Sequence, residues 1–263
     1  MDFATIGGLL FAIIAIGVGA YLEHVTLRSL LGISAFLIVI GGSVGATIVS
    51  SAVEDLKQVP RVLRMAFSPP KRDYQGMIDL LVGLAEKARR NGLLSLQEDA
   101  DQAENPVVKR GLTMAVDGAD PEQVVEVMCA LSEQQANEIL RGATVFETAG
   151  GYAPTLGIMG TVMALVTIMG NLSDVDNLGP SIAVAFLATL YGLGSANLLF
   201  LPMGSKIKSI AKQQVHFNEM IIVGIEGIQA GENPRVIEEK LKSFLSPARK
   251  EAYSKEEGGE DIG

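Results

Sequence analysis

The chain has 263 residues, 48% hydrophobic and 19% charged, with no Trp, a single Cys and a net charge of −9. The acidic balance argues against nucleic acid as a partner, because a phosphate-binding surface needs a basic excess. There is no Cys/His metal spacing, no Gly-Lys-Ser/Thr phosphate loop and no nucleophile–base arrangement, so no resident cofactor, metal, ATPase or other enzyme is expected.

Four stretches lack Asp, Glu, Lys and Arg: Phe3–Leu22, Leu30–Val53, Ala149–Gly170 and Pro180–Met203, of 20, 24, 22 and 24 residues. At about 1.5 Å rise per residue, about 20 residues cover the roughly 30 Å hydrocarbon layer, so all four are long enough to span. The first is expected to be a retained span and not a signal peptide. It starts Met1-Asp2 and meets no Lys or Arg before Arg28.

Of the 21 Lys and Arg, 11 fall in Glu54–Thr148 and 9 in Gly204–Gly263. Lys57, Arg61 and Arg64 flank one span end and Lys206, Lys208 and Lys212 another. The positive-inside rule therefore predicts that both polar segments, and both termini, are cytoplasmic. The expected fold is an all-α membrane protein. Four transmembrane helices carry a helical cytoplasmic domain, formed by the loop between spans 2 and 3 and by the C-terminal tail. The divisions are 1–53, 54–148, 149–203 and 204–263.

Within the middle segment Ile78, Leu81, Leu84, Ala85 and Ala88 recur at helical intervals and form one apolar stripe. Asn91-Gly92 predicts the stop of that helix, and Asp117-Gly118 a turn. Asp120-Pro121-Glu122-Gln123 predicts a helix start, with an N-cap Asp, Pro at the first position and Gln at the third. From Pro121 that helix is predicted to run into the third span. Lys206–Ile228 is amphipathic and is predicted to extend the fourth. The single Cys129 is expected to be a reduced, buried small hydrophobe. The run after Tyr253 is polar, Gly-containing and expected to be disordered. No strand pattern stands out.

Machines that move ions through membranes use a titratable intramembrane group, and these spans contain none. His24 and His216 read as interfacial or surface residues. An ion gradient can therefore be used only if another chain supplies the carboxylate. The spans instead offer Gly150, Gly151, Gly157, Gly160, Thr155 and Thr161 in the third, with Thr189, Gly192, Gly194, Ser195 and Asn197 in the fourth. Small residues allow close helix approach and hydroxyls can bond across the contact. Packing within one chain and lining against a partner helix both fit. Pro154 frees a backbone carbonyl within one turn of Thr155, an oxygen that could help coordinate an ion.

Several segments resemble the A subunit of the bacterial flagellar stator, the MotA/PomA family. Tyr152–Val162 (Tyr-Ala-Pro-Thr-Leu-Gly-Ile-Met-Gly-Thr-Val) is similar to the family's third span. Ala183–Gly192 with Ala196-Asn197 and Leu201-Pro202 is similar to its fourth. Lys87–Leu96 and Val116–Pro121 are similar to its cytoplasmic loop. The resemblance covers nearly the whole chain in order.

The resemblance implies a homo-oligomeric ring, a pentamer, around two copies of a single-span B subunit in the cell membrane. The B subunit supplies an intramembrane Asp and anchors to peptidoglycan, and H⁺ or Na⁺ flow turns the ring against a cytoplasmic rotor switch-complex protein. By carry-over, Pro154 and Pro202 match the coupling prolines, and Thr155, Thr161 and Thr189 face the ion pathway. Arg89, with Arg90 beside it, matches the rotor-contacting arginine. The family's rotor-contacting glutamate position holds Gln97 here, so Glu98 is taken as its substitute, with Asp99 and Asp101 as alternatives. The hydroxyl of Thr189 resembles the sodium-driven members, and a transient Na⁺ near Thr155 and Thr189 is one expectation, though the same hydroxyl serves a water wire for H⁺.

Two other classes stand beside this reading. One is a structural four-helix scaffold or passive channel, against which the long polar middle segment speaks. The other is the energy-transducing ExbB/TolQ type, which has three spans where four are counted here.

Overall fold

The computed structural model describes residues 3–170, 175–247, 249–251 and 253, and among them every regular element is helical. In chain order the α-helices are α1 (Phe3–Leu22), α2 (Ile33–Phe36), α3 (Gly42–Ser50), α4 (Val53–Phe67), α5 (Tyr74–Asn91), α6 (Gln97–Gln102), α7 (Pro106–Val116), α8 (Pro121–Gly170), α9 (Val175–Ser195), α10 (Leu201–Gln229) and α11 (Pro234–Lys242), with short 3-10 turns at Leu27–Leu30 and Leu93–Leu96. Residues 171–174 of the link between spans 3 and 4, and the acidic run after Tyr253, lie outside the described residues.

Four helical stretches are long and apolar enough to cross a membrane: Thr5–Leu22, Ile33–Ser50, and parts of Pro121–Gly170 and of Leu178–Gln229. The second stretch joins α2 to α3 through a π-helical turn at Leu37–Gly41, and the fourth joins α9 to α10 through another at Ala196–Phe200. Near these turns polar side chains bond back to the carbonyl one helical turn earlier. Ser43 Oγ donates to Val39 O at 2.5 Å and Thr47 Oγ1 to Ser43 O at 2.7 Å, both buried. Asn197 Nδ2 donates to Leu193 O at 2.9 Å.

The chain divides into two compact units. The first, Met1–Pro70 with Glu138–Ile210, contains the charge-free stretches. Its small apolar cluster joins Ala35 and Val39 to Leu187 and Ala188, so the second stretch packs on α9. Nothing in the Thr5–Leu22 window of α1 is buried. The amphipathic α4 lays Val62 into α8, where a Cβ on Gly142 would lie 2.6 Å from the Val62 side chain. Only glycine admits that approach.

The second unit, Lys71–Asn137 with Ala211–Gly263, has a continuous apolar core. The stripe of α5 is its floor: Ile78, Leu81, Leu84 and Ala85 are buried, and Ala88 packs at the edge. Val107, Val108 and Leu112 of α7, Met128 of α8, Ile221 and Ile225 of α10, and Ile237 and Leu241 of α11 close over it. The helix ends follow local chemistry. Asp73 caps α5, accepting from Gly76 N, and Gly92 ends it at φ 83°, a left-handed conformation that costs glycine little. Asn105 and Asn233 cap α7 and α11, each followed by Pro at the first position. Asp120 Oδ1 accepts from Glu122 N at 3.2 Å, and from Pro121 the helix α8 runs unbroken for 50 residues.

Cys129 departs from expectation. It is exposed, because the buried face of α8 here carries Val124, Met128 and Ser132, and residue 129 lies a third of a turn away. Partial desolvation, then Glu133 and Glu219, push its thiol up and away from the reactive thiolate. His216 is an exposed surface residue, with Nε2 3.2 Å from Phe244 O.

Candidate ion pathway and rotor-facing residues

In the first unit α8 and α9 cross where both are glycine. A Cβ on Gly157 would lie 2.9 Å from Ala188 O and 3.2 Å from Gly192 Cα. A Cβ on Gly192 would lie 2.6 Å from Ala153 O and 3.3 Å from Pro154 Cα. One turn further along, a Cβ on Gly160 would lie 2.7 Å from Ala188 Cβ. These small residues are therefore consumed by packing inside the chain. Backbones in contact can bring short polar side chains on the next turn face to face.

That is where Thr161 and Thr189 meet. Their hydroxyl oxygens lie 2.6 Å apart, and Thr161 Oγ1 is also 3.0 Å from Ala185 O and 3.1 Å from Gly157 O. One hydroxyl has one proton to give. When Thr161 donates to a carbonyl, Thr189 must donate to Thr161. The result is a short directed relay from α9 to α8 in surroundings without a charged side chain. Beside it lies a cavity of about 310 Å³ lined by Gly160 and Ala188 and by the hydroxyl-bearing Ser34, Thr167 and Ser181.

The other expected pathway residues are placed differently. Thr155 is on an exposed face of α8, with its hydroxyl turned back to donate to Tyr152 O at 2.8 Å. Pro154 sits inside α8 at the glycine crossing, where its missing N–H leaves Gly150 O without the usual helical donor. Pro202 is exposed at the start of α10, just after the wide turn, and lines a second cavity of about 420 Å³ with Thr5, Gly8 and Ala12 of α1.

Tyr191 escaped the sequence reading. Its hydroxyl donates to Leu30 O at 2.5 Å and accepts from Gly32 N at 3.0 Å, and its ring meets Phe36 edge-on at 6.4 Å. It pins the start of the second span to α9. A tyrosine in a charge-free span needs a partner for its hydroxyl, and that was the available signal.

In the second unit Arg89 and Arg90 are exposed in the last turn of α5. Arg90 donates to Glu86 at 2.7 Å, an i,i+4 pair. Lys87 holds Asp99 at 2.7 Å, and Lys109 donates to Asp101 O at 3.1 Å. Glu98 is exposed and accepts a 3.2 Å bond from Gln102. Between the arginines and Glu98, Leu94 is 76% exposed. At the start of α5, burial pushes the Tyr74 phenol up, with Arg72 and Arg249 pulling it back in part.

Residues 6–92 match a family model described as Motility protein A N-terminal, and residues 99–220 one described as MotA/TolQ/ExbB proton channel family. The chain is 34% identical to Motility protein A of Bacillus subtilis over 259 residues, 98% of this chain and 96% of that one. It is 40% identical to Motility protein A of Borreliella burgdorferi over 229 residues, 87% and 88% of the two chains. Its fold is similar to a chain of the flagellar MotAB stator complex from Bacillus subtilis, with a TM-score of 0.89, 33% identity and coverage of 96% and 99%. Similar along nearly its full length in both sequence and fold, the chain belongs to the motility protein A family.

Proposed function

We propose that the chain is the A subunit of a flagellar stator, building with a single-span B subunit an ion channel that drives rotation. The observation that carries this is the pairing of Thr161 with Thr189 in spans that hold no charge of their own. Such a pair can pass or solvate an ion but cannot store one. The partner's intramembrane Asp supplies the storing group. An elementary charge crossing 100 mV releases roughly 2.3 kcal/mol, enough to bias a two-state step more than tenfold. Neutralising and re-ionising that Asp against α8 and α9 turns a ring of A subunits, a pentamer, stepwise around the B pair. Pro154 and Pro202 mark places where the helices of the pathway lose a backbone bond and can hinge.

The protein lies in the cell membrane with both termini cytoplasmic, on the strength of the cations that follow the spans. Arg89 and Arg90 then face the rotor switch complex. Glu98 is the acidic partner in place of Gln97, since Lys87 engages Asp99. Similarity to motility protein A chains over nearly the full length favours this reading over the ExbB/TolQ type. Tethered-cell rotation in a strain lacking its own stator tests it. Rotation should require both this chain and its B partner; paralysis with both in the membrane would sink the reading.

A further inference from the structure

The last described residue, Tyr253, does not trail away from the fold. It is 7% exposed and belongs to the core of the second unit. Its hydroxyl donates to Asp79 Oδ1 at 2.7 Å, and the ammonium of Lys242 sits 4.8 Å from its ring centroid. Four residues earlier, Arg249 lies 4.7 Å from the ring centroid of Tyr74. Tyr74 and Asp79 both belong to α5, the helix whose last turn carries Arg89 and Arg90. The C-terminal segment therefore grips the start of that helix at two points. A phenol bonded to a carboxylate is stronger than a neutral pair and fixes direction, which a phenylalanine filling the same space would not do.

The helical register connects this grip to the rotor-facing end. Asp79, Glu86 and Arg90 are spaced by seven and four residues, so they share one stripe of α5. Glu86 and Arg90 are themselves bonded on that stripe. Arg90 stands 11 residues beyond Asp79, about 16 Å along the axis. A force applied to the arginines acts on α5 as a lever, and the far end of the lever is held by Tyr253.

We propose that Tyr253 is a positioning residue for torque transfer: by bonding Asp79 it straps the C-terminal segment to α5 and holds that helix against the reaction force at Arg89 and Arg90. The proposal rests on the stator reading for the source of the force, and not for the strap itself. Two experiments separate these. Hydrogen exchange on the purified full chain compares wild type with Tyr253→Phe. Amides of the first half of α5 should exchange about fivefold faster in the variant, and equal exchange would overturn the strap whatever the motor does. In rotating cells, Tyr253→Phe should lower stall torque per stator by about half while leaving speed near zero load unchanged. Asp79→Leu should do the same, and Asp79→Asn, which keeps an oxygen acceptor but loses its charge, should fall between Asp79→Leu and wild type. An unchanged stall torque, or a loss equal at all loads, would overturn the lever role. Absence of rotation with the wild-type chain would count against the stator reading alone.

Discussion

The hydroxyl oxygens of Thr161 and Thr189 lie 2.6 Å apart across a helix contact built from Gly157, Gly160, Ala188 and Gly192. The glycines and the hydroxyls form one device: close backbones let two short side chains reach each other. Removing either hydroxyl leaves the other with an unmatched donor or acceptor in apolar surroundings. A net hydrogen bond is worth about 1 kcal/mol, a factor of about five in a coupled equilibrium. Thr189→Val is expected to slow tethered cells several-fold at normal membrane levels, and Thr189→Ser to stay near wild type. Equal speeds for Val and Ser would remove the hydroxyl from the account.

The crossing itself has no room for a methyl group. In Gly192→Ala the new Cβ meets Ala153 O at 2.6 Å, and backbone is what must move. Overpacking of this kind costs about 1–3 kcal/mol. The variant is expected to unfold at lower temperature in detergent and to lose torque, whereas Gly194→Ala, where a Cβ meets nothing within 4 Å, should match wild type.

Much of this is legible in the sequence. Asp120-Pro121, Asn91-Gly92 and the stripe from Ile78 to Ala88 are local signals, because caps and amphipathic faces are set within one or two turns. The four charge-free stretches match the bilayer's thickness in length, and four helical stretches are long and apolar enough to cross it. What stayed hidden depends on register between helices. Thr161 and Thr189 are 28 residues apart, and nothing local says that they face each other, or that Thr155 turns outward. The wide turns at Leu37–Gly41 and Ala196–Phe200 shift the helical phase without leaving a mark in composition. Cys129 fell on the wrong side for a similar reason: one residue of phase decides between core and solvent.

The hydroxyl pair bears on the coupling ion. Thr161 shares its one proton between the Gly157 and Ala185 carbonyls and accepts from Thr189, a continuous run of hydrogen bonds in which only these two hydroxyl oxygens keep lone pairs to offer. Sodium requires several free oxygens around it, whereas a proton can be handed along existing bonds. Motor speed is expected to persist in sodium-free medium and to fall when the proton gradient is collapsed. Arrest on sodium removal would overturn this.

The rotor contact is testable by charge. Arg89→Glu should reduce stall torque at least several-fold with normal membrane levels, and Glu98→Lys should deepen or relieve the defect according to the rotor's own charges. Unchanged torque in Arg89→Glu would count against the carried-over role. Arg90→Glu also breaks the bond to Glu86, so its effect should be larger on helix stability.

Alkaline pH should loosen the second unit through Tyr74. Burial, the larger influence, raises this phenol above its ordinary value, with Arg72 and Arg249 opposing. The folded state thus holds the proton more tightly than the unfolded chain. Stability from this group is fully present below the unfolded value of about 10 and is lost as pH rises through the folded one. Thermal melts of the wild type should fall between pH 9 and 11 more steeply than those of Tyr74→Phe. Parallel curves would contradict this.

These spans are half of an ion pathway, complete only with a partner's carboxylate. Ion influx can be compared in cells or vesicles carrying this chain alone, the partner alone, and both together. Flux is expected only with both, and should vanish when the partner's intramembrane Asp is changed to Asn. Sustained flux through this chain alone would mean that the spans conduct without that carboxylate.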